Sequence, residues 1–447
     1  MGMANSCIGG DEVMVGDGRC MPCHSCLHPI SFQQDGENMN TPIVNIFPDQ
    51  CPSTTIKDEC CKEMYDPTTP YYQLPWGIVV DLTQGKFLNT ENRLPKQDFD
   101  ERDLGTFIRD GQSDNVENVH DISFSGLMKE TKAALEKTLQ TGADFPKEVV
   151  YFKPGEAWGN ISDSSYQTIE ELNTIEKNVD TIASDIAESK IIFELGPGTF
   201  QKTERILDRL EELGVERFYF AVDVNRNGLR KIVDLNAKYN HIKCIGLVGT
   251  FDQGLAFALR MASAFTPFRN ATLMSFGSTF SNSHVDDLNA RMKMWRFVAS
   301  YILLGQDTTR LTKLVHETYH TKAYERLLWN GMQEADTIMG GNDFTSSTWL
   351  DCTIERGAIS SHAFRLRTTR GVEFEAFKSI KYTEAQMNDI IQKAGFRGAA
   401  FGGMEPDTVG MRLYHMRRSK LDPQDETFWW RMRGFFNTNW DENMNRL

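Results

Sequence analysis

The sequence predicts an α/β protein with a mostly parallel sheet at its centre, a second α+β lobe and an appended Cys-rich N-terminal arm. Three observations predict it. Between residues 191 and 301, short apolar runs alternate with amphipathic stretches of helical length. The first run, Ile191-Ile-Phe-Glu-Leu195, leads into the turn Gly196-Pro-Gly198. The next run, Phe218–Val222, ends in Asp223.

A chain of 447 residues has room for two or three domains, and 40% hydrophobic residues can build their cores. No apolar run reaches the ~18–20 residues that cross a bilayer. The first residues lack the basic-then-apolar pattern of a secretory signal, so a cytoplasmic protein is expected. A net charge of −14 argues against nucleic acid as a partner, because phosphate contacts rely on Lys and Arg.

Residues 1–75 form the expected arm. It holds seven of the nine cysteines and shows no sustained periodicity. The spacing Cys20-x-x-Cys23-x-x-Cys26, with His24 and His28 nearby, suits zinc. The second pair that would close such a site is missing, since Cys51 and Cys60-Cys61 do not form one. Free thiols are the plainer alternative. The opening Met-Gly-Met-Ala-Asn-Ser also fits the permissive myristoylation pattern, with Cys7 as an acylation candidate.

Residues 76–188 are expected to begin the substrate lobe, with strand-like Gly77–Leu82 and helices over 123–140 and 168–188. The core spans 189–305. Its strands are expected at 191–195, 217–224, 242–248 and 271–276. Its helices are expected at 202–213, after Asn225, at 252–264 and at 284–301. Repeats at this pitch imply a parallel sheet with right-handed crossovers and a ligand at its carboxyl edge. The Gly turn, Asp223, Thr250-Phe251 and Asn282 all fall at that edge. Residues 306–383 read as an inserted lobe, with a helical stretch at 311–338 and β segments at 347–355, 362–368 and 372–380. Residues 384–420 return to the core. The tail, 421–447, carries Phe428-Trp-Trp430 and Phe435-Phe436, and is expected to dock on its own domain or in a homodimer.

Glycine in the turn lets backbone approach a ligand, and an acid closing the next strand accepts from ribose hydroxyls. A nicotinamide fingerprint would need a third glycine, and position 201 is Gln. An acid before Leu-Gly-x-Gly instead resembles S-adenosylmethionine (SAM) methyltransferases. Taken together, Phe193–Thr203, Val222-Asp-Val224, Gly249-Thr-Phe-Asp252 and Gly277-Ser-Thr-Phe-Ser-Asn282 resemble the histidine-specific methyltransferase family. The resemblance covers about residues 120–418. That family includes the histidine Nα-methylating enzyme of ergothioneine synthesis and fungal relatives acting on dimethylallyltryptophan. The resemblance implies a Rossmann-like class I SAM methyltransferase core and SAM as co-substrate.

The resemblance also assigns residues. Glu194, Gly196, Gly198, Lys202, Asp223, Thr250, Phe251 and Ser278 would contact the cofactor. Thr250, where bacterial members carry Asp, points to the fungal branch. Asn282, Tyr166 and Tyr319 would hold the amino-acid head group and align the amine, with Tyr151 nearby. Histidine-using members read the imidazole with a Glu and, two residues on, a Ser. Here Ser379 is kept and Phe377 stands in the Glu position. A register two residues earlier would put Glu375 there instead. With Phe377, the expected substrate is an aromatic amino acid or a metabolite made from one, in secondary or alkaloid metabolism. With Glu375, it is histidine. No metal is needed for this chemistry. A non-catalytic scaffold of the same fold, binding partners through the arm, is the reading of a different class.

Overall fold

The computed structural model describes residues 118–419 apart from 123–126, 265, 310–311, 357–359 and 402–409, together with the backbone of five short strands nearer the N-terminus. The chain divides into two compact units. In the first, β1 (Glu12–Met14) pairs antiparallel with β2 (Cys20–Pro22). There too β3 (Tyr71–Leu74), β4 (Ile78–Asp81) and β5 (Lys86–Phe87) form an antiparallel sheet in that order. Cys7, Cys23, Cys26 and the aromatic tail lie outside the described residues, and of Cys20 only the backbone is placed.

The second unit is built on an eight-stranded sheet. Its strands are β6 (Val119–Asp121), β7 (Ile191–Leu195), β8 (Arg217–Asp223), β9 (Ile242–Val248), β10 (Ala271–Ser275), β11 (Ala299–Asp307), β15 (Phe396–Phe401) and β16 (Met411–Arg418). Their order is β15-β16-β11-β10-β7-β8-β9-β6. The six strands from β11 to β6 are parallel, and β16 runs antiparallel to both of its neighbours. β7 and β10 are buried at every position, which is why they read as unbroken apolar runs.

Helices cover both faces. Ile192, Tyr219, Ala221 and Leu303 pack with Ile175 and Ile182 of helix Tyr166–Asp185 and with Ile206 and Leu210 of helix Gln201–Glu212. On the other face Phe193 stacks on Phe220 at 5.0 Å and meets Trp295 at 5.7 Å. The alternation of Ile192 and Phe193 between faces is the two-residue period of a strand.

One predicted helix is corrected. The stretch expected to be helical over 284–301 is helix Val285–Trp295 followed by strand β11. The apolar run through Phe297 to Leu304 is continuous with the helix's buried positions, so periodicity alone hides the break. The strands β6 and β15 were also not foreseen. Helices expected at 123–140 and 168–188 are Leu127–Thr141 and Tyr166–Asp185, the latter capped by Ser165, whose side chain accepts from Thr168 N–H.

The lobe carries its own antiparallel sheet, β12 (Thr348–Arg356), β13 (Ser360–Arg367) and β14 (Glu373–Lys381). The helical stretch expected at 311–338 is two helices, Thr312–Tyr319 and Lys322–Met339. Thr321 separates them: its hydroxyl accepts the Tyr324 N–H and restarts the helix. Val149, Tyr319, Leu327, Phe364 and Phe374 share one apolar cluster, so the segment before the core and the inserted segment form one body.

Candidate active site

The Gly turn closes β7. Gly196 has φ +68°, and its N–H donates to Val222 O across the sheet at 2.9 Å. A Cβ there would sit 2.8 Å from Thr279 Cγ2 and 3.4 Å from Phe251 Cζ. Gly198 has φ +59° and lies against Trp158 Nε1. Phe200, also at positive φ, is buried beneath the turn and leads into helix 201–212.

Four side chains expected to contact cofactor also have protein partners. The Glu194 carboxylate is fully buried and accepts from Thr203 Oγ1 and from the Tyr219 hydroxyl. Burial pushes its pKa up to about 7, against the pull of the two hydroxyls. It ties the underside of the turn to β8. Lys202 Nζ pairs with Glu171 Oε2 at 2.6 Å, and that oxygen also accepts from Gly277 N–H. Ser278 Oγ accepts the Asp307 N–H. Thr250 forms a reciprocal cap with Gln253, backbone N–H to side chain in both directions. The reason is common to all four. Turns at strand ends expose orphan backbone groups and bury charges, and nearby polar side chains satisfy them.

Asp223 keeps the expected place at the end of β8. Its Oδ1 accepts from Asn225 N–H at 2.8 Å, and burial pushes its pKa up to about 6 against the pull of two backbone amides. Glycine cradle, strand-end carboxylate and the neighbouring Phe251 ring together fit a nucleoside-bearing cofactor.

Next to this edge lies a buried polar cluster drawn from four elements. Asp307, the last residue of β11, accepts from the Tyr166 hydroxyl at 2.6 Å, from Gln167 Nε2 at 2.7 Å and from Lys381 Nζ. Lys381 also donates to the Tyr319 hydroxyl, which shares a 2.7 Å bond with Ser379 Oγ. Burial raises the Asp307 carboxyl and lowers the Lys381 ammonium, but each charge overrides this in the other, so both stay ionised. Tyr166, Tyr319 and Ser379 are thus brought together, as expected. Asn282 is nearby in the chain path: its Oδ1 accepts the Ile380 N–H and fastens the loop after β10 to β14. Asp307, Gln167 and Lys381 were missed. Asp307 closes an apolar strand at the carboxyl edge just as Asp223 does, but the expected helix took in residues 299–301 and left the rest of that strand unassigned.

Beside Tyr319 lies a group of aromatic rings. Phe377 is buried at φ +53°, with ring centroids 6.3 Å from Tyr151, 6.3 Å from Tyr319 and 5.4 Å from Tyr324. Tyr151 meets Trp158 edge-on at 5.2 Å. Burial raises the Tyr151 hydroxyl's pKa, helped by Tyr319 and by the Asp223 charge, so this ring feels both the polar cluster and the strand-end acid. Glu375 pairs with Lys378 Nζ at 3.0 Å, while the Phe377 ring meets these tyrosines. Lys147 Nζ lies 6.0 Å from the Phe377 centroid. Burial and the Lys381 charge push its pKa down to about 7. Nothing in the sequence pattern marked Lys147.

One further contact fixes the frame. A Cβ on Gly305 of β11 would fall 1.5 Å from Glu171 Oε1, so helix 166–185 is seated directly on the sheet there.

Residues 128–402 match the family described as "Histidine-specific methyltransferase, SAM-dependent". The N-methyltransferase dtpB of Aspergillus flavus is 25% identical over 312 residues, 61% of this chain and 86% of that protein. Ergothioneine biosynthesis protein 1 of Neurospora crassa is 26% identical over 189 residues, 41% of this chain but 21% of that protein. The 4-dimethylallyltryptophan N-methyltransferase easF of Claviceps fusiformis is 32% identical over 94 residues, 20% of this chain and 26% of that protein. Among the described residues, no helix is long and apolar enough to cross a membrane.

Proposed function

Because the chain belongs to the histidine-specific, SAM-dependent methyltransferase family, we propose that it methylates the α-amino group of an amino acid or amino-acid-derived metabolite with an aromatic side chain. The observation that carries the substrate reading is Phe377, buried among Tyr151, Tyr319 and Tyr324 at the position where histidine readers place Glu. A phenyl ring offers an imidazole N–H no acceptor, whereas it suits an apolar or aromatic side chain.

SAM supplies a methyl group on a sulfonium, and transfer is an in-line displacement by a neutral amine. The protein's task is position and electrostatics. Gly196 and Gly198 would let the backbone approach SAM, Asp223 would accept from its ribose, and Phe251 would lie beside its adenine. Tyr166, Tyr319 and Asn282 hold the head group, with Tyr151 against the amine. Lys147, whose pKa is close to neutral, takes the proton the ammonium must lose. Glu194, Lys202, Thr250 and Ser278 brace the cofactor loops through their protein partners.

Mass spectrometry of the purified protein with SAM and a pool of histidine, tyrosine, tryptophan and prenylated tryptophan tests this. A methylated aromatic amino acid is expected. Product on histidine alone would overturn the reading of Phe377. Tight SAM binding with no product from any amine would favour a non-catalytic scaffold.

A further inference from the structure

On the far side of Tyr319 lies a second cluster that methyl transfer does not use. His316 and His320 are four residues apart, the spacing that puts two imidazoles on one helical face, and their rings stack at 3.9 Å with an 8° tilt. Cys352 on β12 joins them: one donor atom from each of the three lies within 4.8 Å of the others. His362, on β13, is also on this face. Cys352 pairs with Phe364 and Ile354 with His362, so Cys352 and His362 project from the same side of the sheet.

The His362 ring adds an independent sign. Its Nε2 lies 3.2 Å from His320 Nε2, and its Nδ1 is buried without a hydrogen-bond partner among the described residues. Zinc bonds nitrogen at ~2.0–2.1 Å, so tetrahedral zinc holds two nitrogens about 3.3–3.4 Å apart. The His320–His362 separation, a hydrogen bond between the two rings as they stand, is close to that.

We propose that His316, His320 and Cys352, with His362 beside them, form a zinc-type metal site. Imidazole and thiolate together select zinc or a similarly soft ion over calcium or magnesium. Binding releases the Cys352 thiol proton to solvent, and the exposed His316 gives the ion a way in. The site is structural. It joins helix Thr312–Tyr319 to the lobe sheet, and Tyr319, the last residue of that helix, stacks on His362 at 4.8 Å. Metal binding therefore reaches the head-group hydroxyl through the ring that carries it.

The test is cobalt(II) titration of metal-free, reduced full-length protein, followed by the thiolate-to-cobalt absorption band and by zinc displacement. The expected result is a band of one equivalent that Cys352→Ser and His320→Ala each abolish. It should survive a triple Cys20→Ser, Cys23→Ser, Cys26→Ser variant. Zinc should also raise the melting temperature of the wild type and leave that of Cys352→Ser unchanged. Absence of any band, or a band that persists in Cys352→Ser and vanishes in the triple variant, would overturn the proposal. Matching circular dichroism of the metal-free variants guards against reading misfolding as lost ligation.

Discussion

Lys381 and Asp307 form a buried ion pair that joins the lobe to the core. The lysine ends β14, the aspartate ends β11, and both side chains are almost wholly hidden from solvent. Removing one partner of such a pair strands the other charge, at a cost of about 3–5 kcal/mol. Lys381→Met should therefore lower the melting temperature at pH 7, and Asp307→Asn added to it should restore part of the loss. The sign with pH follows from the depressed Asp307 pKa. Its contribution is present above the unfolded aspartate value, ~3.9, and is lost as pH falls through the lower folded value. The gap between wild type and Lys381→Met should narrow in acid. Equal melting temperatures at pH 7 would show the pair to be dispensable.

Phe377→Glu should move preference toward histidine. A carboxylate receiving an imidazole N–H is worth about 1.5–3 kcal/mol, so kcat/KM for histidine relative to an aromatic amino acid should rise roughly 10-fold or more. Competition assays with both substrates in one vessel read the ratio directly, and an unmoved ratio counts against Phe377 as the side-chain wall.

Gly196→Ala should weaken SAM. An alanine at φ +68° costs about 1–2 kcal/mol, and its Cβ would press on Thr279. Calorimetric titration should show SAM affinity down by about tenfold or more, with the fold retained by circular dichroism. Affinity within twofold of wild type would mean the turn does not cradle the cofactor.

On the proposed function, Lys147 should set the acidic limb of the rate profile. Below pH ~7 it is protonated and cannot accept the substrate's proton, so kcat/KM should rise as pH climbs through about 7. Lys147→Met should cut the rate about 10²–10⁴-fold and flatten that limb. A limb that survives in Lys147→Met would falsify the assignment and return deprotonation to a water path.

What was legible in the sequence is what depends on period and punctuation. β7, β8 and β9 are short apolar runs between glycines and charges, and they stand within a residue of where the pattern puts them. The order of Gly196, Asp223 and Phe251 along the sheet edge follows from the same alternation. β11 was not legible, because only Arg296 separates Trp295 from its apolar run and one polar residue is an ordinary event within an amphipathic helix. Losing that strand lost Asp307, and with it the centre of the head-group cluster. For Glu194 and Ser278, residue type and position suit a ligand, and only the fold reveals that Tyr219, Thr203 and the Asp307 amide also engage them.

The contact between Glu171 and Gly305 separates two kinds of change open to this protein. Not even a methyl group fits at Gly305, so the helix bearing Tyr166 and Gln167 is keyed to the sheet and the head-group end of the pocket has little freedom to drift. Phe377 sits on a lobe strand where the pairing register between His362 and Phe364 already slips. Substitution there can remodel the lobe strand while helix 166–185 stays seated on the sheet. A lineage built on this frame can thus explore new side chains one residue at a time, keeping the bond it makes unchanged.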